Sequence, residues 1–183
     1  RVNKYIKDDN LAVEARKLVN FVVDKQTDYG AWYYTHPAGD HPRKHDNYHT
    51  GYIVDAILDY MDHSGDQSFM PQYLKGVQYY KENLFLPDGA PKWANDKTYP
   101  FDVHGSAQGI ISFVKASRFD KSYIDLAEKI ANWAIDNMQN KKKGFFYYQK
   151  TSLFRKPFTL MRWSCGWMSR GLSELLLNSE VRS

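Results

Sequence analysis

The sequence predicts an all-α fold made of three tandem αα-hairpins, and three observations predict it. A glycine–aromatic phrase recurs, "GAWYY" at Gly30, "GAPKW" at Gly89 and "GFFYY" at Gly144, in steps of 59 and 55 residues. A period of that size marks a repeat architecture. Each phrase is preceded by one helical pattern and followed, after a polar loop, by a second. Apolar residues in these patterns recur at i, i+3, i+4 and i+7, which is one face of a helix and not the alternation of a strand.

The elements follow in order. The first helices of the three units read "NLAVEARKLVNFVVDK", "SFMPQYLKGVQYYKENL" and "SYIDLAEKIANWAIDNM". In the second of these the expected buried stripe is Met70, Tyr73, Leu74, Val77 and Leu84; in the third it is Ala127, Ile130, Ala131, Ala134 and Met138. The second helices read "TGYIVDAILDYM", "GSAQGIISFVKA" and "SCGWMSRGLSELLL", with Ile53, Ala56, Ile57, Tyr60 and Met61 as the stripe of the first. "SGD" at Ser64 and "FDKS" at Phe119 end one hairpin and open the next. The hairpins therefore run roughly over 10–64, 67–118 and 121–179 of a single domain. The loops inside them have about 15 to 25 residues each, and loops that long in a compact domain tend to carry function.

Composition narrows the class. With 43% apolar and 25% charged residues the chain can bury a core. It has no apolar run of about 18 residues that could span a membrane. One cysteine, Cys165, excludes an internal disulfide framework and fits a reducing compartment, so a cytoplasmic location is expected. Net charge is +4 with the basic residues dispersed, so nucleic acid is not expected as a partner; "KKKG" from Lys141 reads as a solvated turn. The excess is aromatic instead, with 14 Tyr and 5 Trp, and such rings suit both helix packing and stacking on sugars. The opening "RVNKYIKDDN" has neither an initiating Met nor a signal-type apolar stretch, and the chain is expected to be the C-terminal part of a longer protein.

Because the repeat is regular, its three loops should emerge at one end. "HDNYHTGY" from His45 then has counterparts in "YPFDVHGS" from Tyr99 and "TLMRWSCG" from Thr159. Asp46 and Asp102 lie 56 residues apart, and His49 and His104 lie 55 apart. The residues expected to converge are Trp32, Tyr34, His36, Asp46, Tyr48 and His49; Trp93, Tyr99, Asp102, His104 and Gln108; and Tyr148, Gln149, Arg162, Trp163 and Trp167. Three readings fit such a set. The aspartates could simply cap the helices behind them. The set could instead be a carbohydrate site, with two carboxylates for glycoside hydrolysis, or Tyr and His for proton abstraction beside a carboxylate held by Arg162. Last, His36, His45, His49, Asp46 and His104 could hold a metal, although no HExxH-type motif is present. Cys165 reads as a packing residue and not as a nucleophile.

Tandem αα-hairpins with aromatic, polar loops resemble the six-hairpin glycosidase-like superfamily, the (α/α) toroids. More narrowly, "DNYHTGYIVDAILDY", "YPFDVHGSAQGI", "GFFYYQ" and "MRWSCGWM" are similar to a family of bacterial polysaccharide-biosynthesis proteins, over about Tyr29 to Leu177. Members sometimes carry the name delta-aminolevulinic acid dehydratase. That enzyme is a TIM barrel, and no alternating βα pattern appears here, so the name is read as a mislabel. The resemblance implies half of an (α/α)6 toroid with short β-like segments in its loops. It also implies carbohydrate processing or recognition in surface-polysaccharide assembly, with a non-catalytic glycan- or protein-binding scaffold as the alternative. A hydrolase, lyase or epimerase would use Asp46, His49, Asp102, His104 and Arg162, with Trp32, Trp93 and Trp163 as stacking walls, and no metal or cofactor. Three hairpins leave apolar faces open, so the other half should come from an N-terminal segment or from a second copy in a homodimer.

Overall fold

Helix ends fall where local chemistry puts them. The computed structural model describes residues 3–180. A short helix α1 (Asn3–Ile6) precedes α2 (Asp9–Asp24), which starts where the Asp8 carboxylate accepts from the Asn10 N–H at 2.9 Å. Then come α3 (Asn47–Ser64), α4 (Met70–Leu84), α5 (Val103–Ala116), α6 (Ser122–Met138) and α7 (Trp167–Glu180). Gly65, at φ 77°, closes α3 with an N–H donated to the Met61 carbonyl. Two-residue strands β1 (Phe101–Asp102) and β2 (Gln149–Lys150) lie in the loops, and a π-helical turn, Met161–Gly166, leads into α7.

The helices make two layers. α3, α5 and α7 lie side by side, and α2, α4 and α6 back them. α5 sits in the middle and buries every residue except Lys115. Around it Tyr80 stacks on Phe113 at 5.3 Å, and Phe113 lies parallel to Tyr123 at 5.7 Å. Each such side chain contributes about 1.5–3 kcal/mol by leaving water.

Two predicted stripes need correction. Leu74 is 42% exposed, and α4 buries Tyr73, Gly76, Val77, Tyr79, Tyr80 and Leu84 instead. In α3 the buried face is Val54, Ile57, Leu58 and Met61; Ala56 is exposed, and Ile53 and Tyr60 are half-buried. α3 is packed by α4 and α5 on two sides, but its third side meets only α2, a helix that buries none of its own residues.

The repeated glycines position everything else. Gly30 and Gly89 adopt φ of 94° and 92°, a region that favours glycine. A Cβ on Gly30 would lie 2.6 Å from the Lys75 carbonyl oxygen of α4, and one on Gly89 would lie 2.9 Å from that of Lys129 in α6. Each turn thus seats on the backing helix of the next hairpin and sends its loop back over the same end. Backbone bonds then stitch the loops together: Asn47 N–H to the Trp93 carbonyl, Asn95 N–H to the His45 carbonyl and Val103 N–H to the Tyr148 carbonyl. β1 pairs antiparallel with β2, Phe101 opposite Lys150 and Asp102 opposite Gln149.

This seating predicts a graded response to added methyl groups. Gly30→Ala and Gly89→Ala should each cost about 3 kcal/mol, from backbone strain plus overlap with a carbonyl. Gly65→Ala, at positive φ but with open space around it, should cost only about 1 kcal/mol. Urea unfolding of the three variants reads the difference, and equal losses would contradict the seating.

Candidate functional site

The stitched loops form a concave face on which two clefts meet at one tyrosine. One cleft, about 410 Å³, is lined by Trp32, Tyr33, Tyr34, Asp46, His49 and Tyr52, among others. The other, about 650 Å³, is lined by Tyr52, His104, Leu160, Arg162, Trp163 and Trp167, among others. Tyr52 belongs to both. Its ring lies 5.8 Å from the His49 ring and 5.7 Å from the His104 ring, centroid to centroid.

Asp46 and Asp102 occupy equivalent positions, each the residue before a helix, and act differently. Asp102 is a cap: its carboxylate accepts from the His104 N–H at 2.9 Å, from Gln149 Nε2 at 2.9 Å and from Trp163 Nε1 at 3.2 Å. Burial raises its pKa against these three bonds, which pull it down. Asp46 makes no side-chain cap bond. Its Oδ2 accepts from His49 Nδ1 at 2.6 Å and from Arg43 at 3.3 Å. Holding Nδ1–H in this way fixes the His49 tautomer and leaves Nε2 with its lone pair. Nε2 has no partner among the described residues, and the ring lines the first cleft.

His104 is held differently. Its Nδ1 lies 3.0 Å from the Trp163 carbonyl, which can only accept, so Nδ1 carries the proton and Nε2 accepts from the Tyr52 hydroxyl. The ring is sandwiched between Trp163 at 4.0 Å and Trp167 at 5.2 Å. Burial pushes its pKa down to about 4 and pushes that of Tyr52 up to about 12. The pair is therefore neutral at pH 7, with the tyrosine proton shared towards the imidazole.

The remaining expected residues frame this centre in different ways. Tyr48 is buried among Trp93, His104, Trp163 and His49, with its pKa pushed up to about 12 by burial. The Arg43 guanidinium lies over the Trp93 ring at 4.6 Å and over the Tyr34 ring at 5.0 Å. Trp32 is buried, donates to the Val22 carbonyl at 2.8 Å and lines the first cleft. Gln108 is buried and takes the Trp167 Nε1–H at 3.1 Å while donating to Ser112, whose hydroxyl reaches Asp55. Gln149 joins Asp102 to Lys156. Tyr148 packs on Phe158, and Tyr99 packs on Phe101, away from the two clefts. Arg162 is exposed on the rim of the second cleft.

Three groups were not among those expected: Tyr52, Arg43 and Arg170, the last stacked on Trp167 at 5.0 Å. The signal for two of them was spacing. Arg43, Asp46, His49 and Tyr52 fall at steps of three, which brings the helical members onto one face of α3. Two of the histidines suggested for a metal, His36 and His45, point elsewhere. His45 is buried between the Trp32 carbonyl and the Tyr29 hydroxyl, and His36 packs edge-on to Phe21. Among the described residues no three His, Cys, Asp or Glu side chains gather as a metal would require. Cys165 is half-buried, its Sγ 3.1 Å from the Thr159 hydroxyl. The π-helical turn that carries Arg162 and Trp163 lies beside this cleft, a place where such turns recur in proteins.

No protein-family model and no curated protein matches this sequence. Solved structures do. A sugar epimerase from a ruminal bacterium superposes with a TM-score of 0.79 at 16% identity, over 97% of this chain and 50% of that one. Cellobiose 2-epimerase from Bacillus thermoamylovorans B4167 gives 0.76 at 14% identity, over 97% and 49%. Unsaturated glucuronyl hydrolase from Bacillus sp. GL1 gives 0.70 at 16% identity, over 92% and 50%. The fold is half of an α/α toroid. The half-toroid spans about half the length of each of these carbohydrate enzymes, and none of the three is a dehydratase. Among its described residues no helix is long and apolar enough to cross a membrane.

The His104 environment predicts an acid response. Its folded pKa, about 4, lies below the ordinary 6.5, so between these values the unfolded chain binds the proton that the folded chain refuses. The stability held by the neutral ring is complete above pH 6.5 and lost as pH falls to 4, a change on the order of 3 kcal/mol. Asp55 and Asp102, raised by burial, act in the opposite sense at the acid end. The comparison is therefore with His104→Asn: its unfolding free energy should fall less between pH 6.5 and 4 than that of the parent. Parallel profiles would contradict a neutral, buried His104.

Proposed function

We propose that this chain binds a sugar on its concave loop face and moves protons there, as a sugar epimerase or isomerase does. One observation carries the reading: the rings of His49 and His104 both pack edge-on against Tyr52 where the clefts meet, and His104 Nε2 accepts from its hydroxyl, while both aspartates are buried and engaged. Glycoside hydrolysis needs two carboxylates reaching the scissile bond from either side. Asp46 is committed to His49 and Arg43, and Asp102 to three donors, so neither is free for that task.

His49 is the base. With Nδ1–H fixed on Asp46, its Nε2 takes a proton from the carbon beside the carbonyl of an open-chain sugar, and the resulting imidazolium is stabilised by the same carboxylate. Tyr52 turns its hydroxyl from His104 Nε2 to the developing enediolate oxygen. The His49 imidazolium then returns its proton to the adjacent carbon, which gives the isomer, or loses it to solvent while a solvent proton enters the original carbon from the opposite face, which gives the epimer. Trp163 and Trp167 give the sugar a flat wall, and Arg162 on the rim suits a substrate with an acidic group. The likeness of this half-toroid to two sugar epimerases agrees with the reading.

On the sequence resemblance we place this activity in the assembly of a bacterial surface polysaccharide. On the single cysteine we place it in the cytoplasm.

Solvent exchange tests the chemistry. The protein is incubated in D2O with cellobiose, N-acetylglucosamine or glucuronic acid, and deuterium at the carbon beside the anomeric centre is followed by NMR. One sugar class should incorporate deuterium, and His49→Gln should slow this by a factor of 100 or more, a general base contributing about 10²–10⁴ in rate. Tyr52→Phe should slow it while leaving sugar affinity within a few fold. Release of reducing ends without exchange would point to hydrolysis. Binding without exchange, lost in Trp163→Ala but kept in His49→Gln, would point to a non-catalytic glycan module.

A further inference from the structure

We propose that Arg43 is a positioning residue, the counter-ion of Asp46, whose charge keeps the His49 imidazole neutral and able to take a proton. As the setting of a base this rests on the sugar-site reading above; the charge balance itself is a property of the protein without sugar.

Three groups meet at one carboxylate oxygen. Asp46 is 3% exposed, and its Oδ2 accepts from His49 Nδ1 at 2.6 Å and from Arg43 Nη1 at 3.3 Å. A carboxylate taken out of water is tolerated beside a cation or a full set of donors. Two cations are within reach, guanidinium and imidazolium, and the guanidinium is charged at every pH of interest. With Arg43 in place the carboxylate is balanced, so the imidazole donates its Nδ1–H without carrying a second proton. Without that charge the nearest cation is the imidazolium itself. Nε2 then holds a proton from water, and the base is lost.

The surroundings of Arg43 suit this role. The shorter bond to Asp46 is that of the imidazole, so His49 sets the geometry and Arg43 contributes charge. The guanidinium is kept in place by rings: it lies over Trp93 and Tyr34, contacts that hold a cation without a competing anion. Tyr34 also packs edge-on to the His49 ring at 5.2 Å. Asp102, at the equivalent place in the next hairpin, shows the other solution. It is satisfied by three uncharged donors, Lys156 reaches it through Gln149, and His104 turns away to the Trp163 carbonyl.

The other titratable groups around the His49 ring come from three elements. They are Tyr34 and, stacked on it, His41 from the first loop; Tyr48 and Tyr52 from α3; and His104 from α5. Burial pushes Tyr48 and Tyr52 up to about 12 and His104 down to about 4, so these three stay neutral where an imidazole titrates. The further charged groups are Asp102, which acts on both tyrosines, and Arg170, which acts on Tyr52.

Imidazole nitrogen NMR of the sugar-free protein against pH tests this. In Arg43→Gln the His49 titration midpoint should lie about one to three pH units above the parent's, the effect of removing a like charge from within about 6 Å. In Arg43→Lys, which keeps the charge and loses the guanidinium stacking, it should stay close to the parent's. Asp46→Asn combined with Arg43→Gln strands no buried charge, and should titrate above Asp46→Asn alone. Where a sugar exchanges deuterium, the acid limb of its rate should move up in Arg43→Gln by the same amount, with the rate at high pH kept within a few fold. Equal midpoints in the parent and Arg43→Gln, or in the single and combined Asp46→Asn variants, overturn the proposal. So does an Arg43→Lys protein that titrates like Arg43→Gln, since packing and not charge is then responsible, or a rate lowered equally at every pH. If no sugar exchanges with the parent, the sugar reading fails while the titrations still decide the role of Arg43.

Discussion

Everything on the concave face depends on one repeated constraint, a left-handed glycine turn pressed against the carbonyl of a neighbouring helix. Gly30 on Lys75 and Gly89 on Lys129 fix where each long loop leaves its backing helix and at which end it returns. Once two loops are held to the same end, their backbones bond to one another, and the starts of α3 and α5 come together with the turn before α7. The clefts follow from that alignment. Without it His49 and His104, 55 residues apart in sequence, would have no reason to share a tyrosine.

Within the face, charge is handled by burial and pairing. The two aspartates enter with the same register, and their surroundings divide the labour. Asp102 meets a strand partner, Gln149, and an indole N–H from the π-helical turn, so it becomes a structural hub. Asp46 meets Arg43 and the imidazole three residues on, so it orients that imidazole. His104, sealed between two tryptophans, is kept neutral and serves the tyrosine. A buried charge without a partner is expensive, and no such charge is needed here.

Much of this was legible in the sequence. The glycine–aromatic phrase set the repeat, the 3.6-residue period set the helices, and the paired Asp and His positions placed the loops' polar clusters opposite one another. What could not be read was which face of a helix would be covered. Leu74 and Ala56 satisfy the helical spacing and are exposed, because periodicity reports a stripe but not the neighbours that bury it. Tyr52 was missed for a related reason: it reads as one more aromatic at the start of a helix, and only the approach of α5 and α7 turns it into the hinge of two clefts. The opposite uses of Asp46 and Asp102 were hidden too, since both are sound helix-capping residues and the partners that separate them lie on other loops.

The proposed site receives a sugar at His49 and Tyr52. Imidazole nitrogen NMR during titration with the sugar that binds tests it most directly, because each ring nitrogen reports its own proton and partner. A shift is expected at His49 Nε2 and at His104 Nε2 as Tyr52 turns away, with His45 unchanged between its two fixed partners. A saturable sugar whose binding leaves His49 and His104 unmoved would contradict it.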